Sequence, residues 1–136
     1  MSHLILVVED DPLDIELVRI AIERCEFVHE LAIARDGEEA IDFLFASGTH
    51  ASRPRKNPAV ILLDLKLPKV NGLELLQKIR RTPHLMSIPV IVLSASSEEK
   101  DMQAAEALGI SSYIVKPLEW RGFSERLCQA MEMQAE

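Results

Sequence analysis

Cysteine is scarce in this sequence. There are two, Cys25 and Cys128, in 136 residues. They form neither a CxxC pair nor a metal-ligand spacing, which argues against a thiolate metal site. Each falls on the apolar stripe of an expected helix, so both are expected to be small buried thiols in a reducing cytoplasm. Positive charge is also short: 15 Lys and Arg stand against 22 Asp and Glu, for a net charge of −7. A nucleic-acid partner would need clustered Lys and Arg to meet its phosphates, so none is expected. No apolar run approaches the roughly 18 residues of a membrane span, and no membrane partner is expected. The N-terminus has no basic region followed by an apolar one, so no signal peptide is seen and a cytoplasmic location is expected. Internal repeats and low-complexity segments are absent too. What is present is 48% apolar residues, enough for a core. The length suits one domain over residues 1–136, with no output domain.

The chain is arranged around Ala59 to Gly72, AVILLDLKLPKVNG. Ala59 to Leu63 carry no polar side chain, which reads as a strand buried on both faces. The run ends in a carboxylate, Asp64. Pro68 and Gly72 follow at turn-like spacing, and a helical pattern starts at about Asn71. His3 to Val8 is another apolar run, ended by Glu9, Asp10 and Asp11. Pro12 then suits a first helical turn with Asp11 as N-cap, and Ile15, Val18, Ile22 and Cys25 share one stripe. Glu30 to Ala34 reads as a short strand. Asp36 and Gly37 make a turn and cap, and Ala40, Ile41 and Leu44 mark a second helix.

Residues 47–58 break all periodicity and read as a surface loop, long for a compact α/β unit. Leu73, Leu76 and Ile79 mark a third helix, whose negative C-terminal end suits Arg80 and Arg81. Pro89 to Leu93 is the next buried strand, ended by Ser94. Ser97 with Glu98 to Lys100 opens a fourth helix, which stops at Gly109. Ser112 to Val115 is a fifth strand, ended by Lys116 and Pro117. The last helix starts near Glu119, with Trp120, Phe123, Leu127 and Met131 on its inner face. Five strand–helix alternations imply an α/β fold: a doubly wound, five-stranded parallel sheet of order 2-1-3-4-5.

In such a sheet the carboxyl ends of the strands share one edge, where ligands bind. That edge would gather Glu9, Asp10, Asp64, Ser94 and Lys116. Three carboxylates in one crevice repel one another and call for a cation, and all-oxygen ligands with room for water suit Mg²⁺. A lysine and a hydroxyl beside them could take up charge on phosphoryl oxygens, so the set could support phosphoryl transfer to a carboxylate. Taken singly, each has a plainer role: Asp64 as a strand terminator, Lys116 as a strand-end charge, Ser94 as an N-cap, Asp10 as a turn former.

The segments VVEDD at 7–11, DLKLPKVNG at 64–72, Ser94-Ala95 and Lys116-Pro117 together resemble the receiver domain of two-component response regulators. The likeness spans residues 3 to about 131. It implies a flavodoxin-like receiver fold, with Asp64 as phospho-acceptor. It further implies Asp10 and Asp64 as direct Mg²⁺ ligands, Glu9 acting through water, and Lys66 supplying its backbone carbonyl. Ser94 and Lys116 would contact the phosphoryl oxygens, and Ser94 and Tyr113 would form the switch pair. The plainer role for Tyr113 is a space-filling strand residue, and the resemblance favours the switch.

The long 47–58 loop is similar to an insertion in stand-alone receivers paired with bacterial phytochrome kinases. The implied partners are therefore a sensor histidine kinase, a bacterial phytochrome among the candidates, and a second copy in a homodimer. Met102, Ala105 and Glu106 are expected to be exposed on the responding face. No catalysis beyond the domain's own phosphorylation and dephosphorylation is implied. Two other classes are disfavoured. A dehalogenase-type hydrolase needs a second Asp where Lys66 stands, and a pseudo-receiver should lack one of the key residues.

Overall fold

The computed structural model describes residues 3–25, 29–45, 57–116 and 120–135. Its strands are β1 (His3–Val8), β2 (His29–Ala34), β3 (Val60–Asp64), β4 (Val90–Ser94) and β5 (Ser112–Val115). Its helices are α1 (Pro12–Glu23), α2 (Gly37–Leu44), α3 (Gly72–Arg81), α4 (Glu99–Ala107) and α5 (Trp120–Ala135). The strands are all parallel in the order β2-β1-β3-β4-β5, as expected. Of the 47–58 loop only residues 57 and 58 are among those described. The side chains of Trp120 and Met131 lie outside the described residues.

Two cores form because successive strand side chains point to opposite faces. Leu4, Leu6, Val8, Ile61, Leu63, Val90 and Val92 pack against α2, α3 and α4. Ile5, Val7, Val60, Leu62, Ile91, Leu93 and Ile114 pack on the other face against Val18 and Ile22 of α1 and Phe123 and Leu127 of α5. β3 and β4 are buried throughout, which is why both read as unbroken apolar runs.

The caps follow local chemistry. The Asp11 carboxylate accepts from the Leu13 and Asp14 amides, and Pro12 opens the helix. The Asp36 side chain accepts from the Glu39 amide, and that of Asn71 from the Leu73 amide. Gly109, at φ +75°, ends the turn after α4.

Two expectations are overturned and two are refined. The cysteines are not separate thiols: Cys25 and Cys128 form a disulfide, with Cα atoms 5.4 Å apart across 103 residues of sequence. The topology sets α1 beside α5, and no spacing rule reports such an adjacency. Cys25 also lies beyond the end of α1, on the residue after the C-cap Arg24.

Arg80 lies in the last turn of α3, as expected, but it does more than serve that helix end. Its guanidinium donates to the carbonyls of Leu108, Met86, Ile88 and Gly109, pinning the α3–β4 and α4–β5 connections together. Helix α4 is not capped by Ser97. Its N-cap is Glu98, and the nearby Ser96 hydroxyl accepts from the Glu98 amide and donates to Asp101 Oδ2 at 2.6 Å. Finally, Ala105 is fully buried against the α2–α4 core, not exposed. Met102 is half-buried and Glu106 is exposed.

Candidate functional site

The site lies where β1, β3, β4 and β5 end together. Val8 pairs with Leu63, Asp64 with Leu93, and Ser94 with Val115. That register brings the residue after β1, the last residue of β3 and the residue after β5 to one edge. Glu9 is almost wholly buried, Asp64 is buried and Asp10 is exposed. One carboxylate oxygen from each lies within 4.8 Å of the other two. Three hard anionic oxygens so close, with one residue open to solvent, fit a divalent cation that retains water.

Each carboxylate is oriented by its surroundings. Glu9 Oε2 accepts from the Asp10 and Asp11 amides at 3.0 and 3.2 Å. Asp64 Oδ1 accepts from the Lys66 amide at 3.1 Å, so the loop after β3 folds back over the acceptor. That loop is braced at its far side. Gly72 donates to the Leu65 carbonyl, and the Lys69 ammonium faces Asp36 and Glu38 at 3.6 and 3.9 Å. Lys69 itself adopts φ +68°, a left-handed turn conformation. The Lys66 side chain is exposed at the mouth of the site.

Lys116 supplies the positive charge. Its Nζ lies 2.5 Å from Glu9 Oε1, 2.8 Å from Asp14 Oδ2 and 3.1 Å from Asp64 Oδ2. Burial pushes the Glu9 carboxyl from 4.5 up to about 7, against the pull of the Lys116 bond. Burial also works to lower the Lys116 ammonium. The bonds to Asp14 and Glu9 outweigh it and hold the group above its ordinary value.

Ser94 is fully buried at the end of β4, and its hydroxyl oxygen accepts from the Ser96 amide at 3.1 Å. The half-buried Tyr113 donates from its phenol to the Ser96 carbonyl at 2.9 Å. The loop after β4 is thereby tied to both residues.

The structure thus gathers Glu9, Asp10, Asp64 and Lys116 as the sequence led one to expect, with Ser94 at the adjoining strand end. Tyr113 stands one step away, through Ser96. Sequence reasoning missed Asp14. Its position in the first turn of α1, directly after the acidic strand end, was the available signal. The bridging role of Ser96 depends on Tyr113 and Asp101, which its local sequence does not reveal.

A doubly wound parallel sheet with a carboxylate cluster and a lysine at its strand ends defines a flavodoxin-like domain built for cation and phosphoryl chemistry. Residues 5–128 match the response regulator receiver domain, and the chain belongs to that family. The family works by phosphorylation-dependent signalling. The bacteriophytochrome response regulator RtBRR superposes with a TM-score of 0.83 at 46% identity, over 96% of this chain and 78% of that one. Response regulator Rcp1 of Synechocystis sp. is 43% identical over 112 residues, 82% of this chain and 75% of Rcp1. Its structure is a Mn²⁺-bound form, with a TM-score of 0.84 and 38% identity over 96% of this chain and 92% of that one. The phosphorylated cyanobacterial phytochrome response regulator RcpA covers all of this chain and 96% of its own at 35% identity, with a TM-score of 0.87.

Proposed function

We propose that this protein is a response regulator whose receiver domain accepts a phosphoryl group on Asp64 from a sensor histidine kinase. The observation that carries this reading is the buried Asp64 carboxylate at the end of the central strand, with Lys116 Nζ at 3.1 Å and Glu9 and Asp10 beside it. Asp64 attacks the phosphorus of a phosphohistidine. The new O–P bond forms as the P–N bond breaks, and the leaving imidazole nitrogen takes up a proton. Lys116 and the Ser94 hydroxyl would then meet the phosphoryl oxygens, where charge must be balanced.

Asp10 and Asp64 would hold Mg²⁺ directly, Glu9 through water, and Lys66 through its backbone carbonyl. When bound, the ion offsets the repulsion between carboxylate and phosphoryl group. The likeness to RtBRR and RcpA, regulators of bacterial phytochromes by name, supports a bacterial phytochrome kinase as the donor. The working place would be the cytoplasm. Among the described residues no helix is long and apolar enough to cross a membrane. The compartment's redox poise would then set the state of the Cys25–Cys128 pair. The chemistry ends on the protein itself, so the chain is a signalling acceptor and not an enzyme acting on other substrates. Output would pass through the face built by α4, β5 and α5, either to a second copy or to the kinase.

Incubation with Mg²⁺ and acetyl phosphate, followed by intact mass measurement, tests this reading. Wild type should gain one phosphoryl mass, and Asp64→Asn should gain none, because an amide is a poor nucleophile. Labelling of that variant, or labelling of wild type in excess chelator, would overturn the assignment.

A further inference from the structure

Lys116 is held by three carboxylates, and only two of them belong to the acidic cluster. The third is Asp14, at 2.8 Å, nearer to the ammonium than Asp64 at 3.1 Å. Both partners are shielded: the Lys116 side chain is 12% exposed and that of Asp14 17%. A charged contact so shielded is screened less than one at the surface.

Asp14 is also fixed in place. It is the third residue of α1, and its amide is bonded at 3.4 Å to the Asp11 cap. Glu9 and Asp64 face a different fate on activation. Asp64 would spend an oxygen on the bond to phosphorus, and Glu9 would help to hold the metal through water. Asp14 has neither task and remains an anion on Lys116 when the phosphoryl group arrives.

Resting on the reading of Asp64 as acceptor, we infer that Asp14 is a positioning residue that competes with the phosphoryl group for the Lys116 ammonium, and so limits how firmly the phosphorylated site is held. An ammonium has three protons and can serve more than one anion. Each anion that it keeps still draws its charge away from the others. Removing the charge of Asp14, while keeping an oxygen at the same place, should hand Lys116 to the phosphoryl oxygens.

The test is the affinity of the Mg²⁺-loaded protein for beryllofluoride, a mimic of the acyl phosphate, followed by ¹⁹F NMR. Failure of wild type to bind would sink the acceptor reading itself, separately from this inference. Given binding, Asp14→Asn should tighten it roughly three- to tenfold, the net worth of one ordinary hydrogen bond. Asp14→Glu, which keeps the charge, should stay near wild type. Glu16→Gln removes a charge from the exposed side of α1, where Glu16 faces Arg19 at 3.6 Å, and should also match wild type. In a Lys116→Ala background, adding Asp14→Asn should change nothing. Weaker or unchanged binding by Asp14→Asn overturns the inference. So does an equal gain from Glu16→Gln, or a gain in the background without Lys116. Thermal melts of each variant separate these outcomes from misfolding.

Discussion

At the scale of single residues, Glu9 carries the largest unspent cost. Its folded value of about 7 lies above its ordinary 4.5, so the folded state holds the proton more tightly than the unfolded chain does. The stabilisation linked to that proton is complete below pH 4.5 and is lost as pH rises through 7. Metal-free protein should therefore lose roughly 2–3 kcal/mol of stability across that window. Glu9→Gln should flatten the decline, since it removes the charge that forms. Urea denaturation between pH 4.5 and 8 in chelator measures both, and a flat wild-type profile would contradict the burial argument. Saturating Mg²⁺ should restore wild-type stability above pH 7, because a cation favours the ionised cluster.

The elements show how far local signals reach. β1 begins and ends where the apolar run does, and β3 and β4 are displaced by a single residue from their runs, ending on Asp64 and Ser94 themselves. The caps Asp11, Asp36 and Asn71 act within three residues of themselves, so they too were legible. The start of α4 was legible to within a residue, but its cap was not, because Ser96 works through Asp101 and Tyr113, partners chosen by packing.

Gly72 shows how an element positions the site. A Cβ there would lie 2.4 Å from Leu65 Cα and 2.5 Å from the Asp64 carbonyl. Gly72→Ala should cost roughly 1–3 kcal/mol by overpacking and slow phosphorylation of Asp64, whose own peptide must shift. Gly122→Ala is the matched control: a Cβ there meets nothing within 4 Å at an exposed position of α5, and helix propensity favours alanine by about 1 kcal/mol. Chemical denaturation with acetyl phosphate labelling reads out both variants. Equal behaviour would mean that α3 can slide without disturbing Asp64.

For the whole molecule, the open question is what reads the phosphorylated state. The Ser96 carbonyl takes the Tyr113 phenol while the Ser96 amide donates to Ser94, so one loop links the site to the β5 surface. A shift of Ser94 toward a phosphoryl group would move that loop and release the Tyr113 bond. Val115, 37% exposed, and half-buried Met102 then lie on the face that should respond. Sedimentation with Mg²⁺ and beryllofluoride should show increased self-association of wild type, since twofold dimers are the commonest assembly. Tyr113→Ala should lose that response. If neither self-association nor kinase affinity changes in wild type, or the variant responds equally, the proposed output path is wrong.

The sequence alone determined the alternation of strands and helices, the burial of β3 and β4, and the polar residues that end β3 and β4 or follow β1 and β5. Those properties come from apolar periodicity and from caps acting over a few positions. Right-handed crossovers then gathered Glu9, Asp10, Asp64 and Lys116 at one edge without further information. Only the tertiary structure decided that Cys25 meets Cys128, that Arg80 pins two connections, that Ala105 turns inward, and that Lys116 divides itself among three carboxylates. Cys25 and Cys128 are 103 residues apart, and Lys116 and Glu9 are 107 apart. At such separations the pairing is set by which elements the sheet order makes neighbours and by how their side chains pack, and neither leaves a mark in the local pattern of residues.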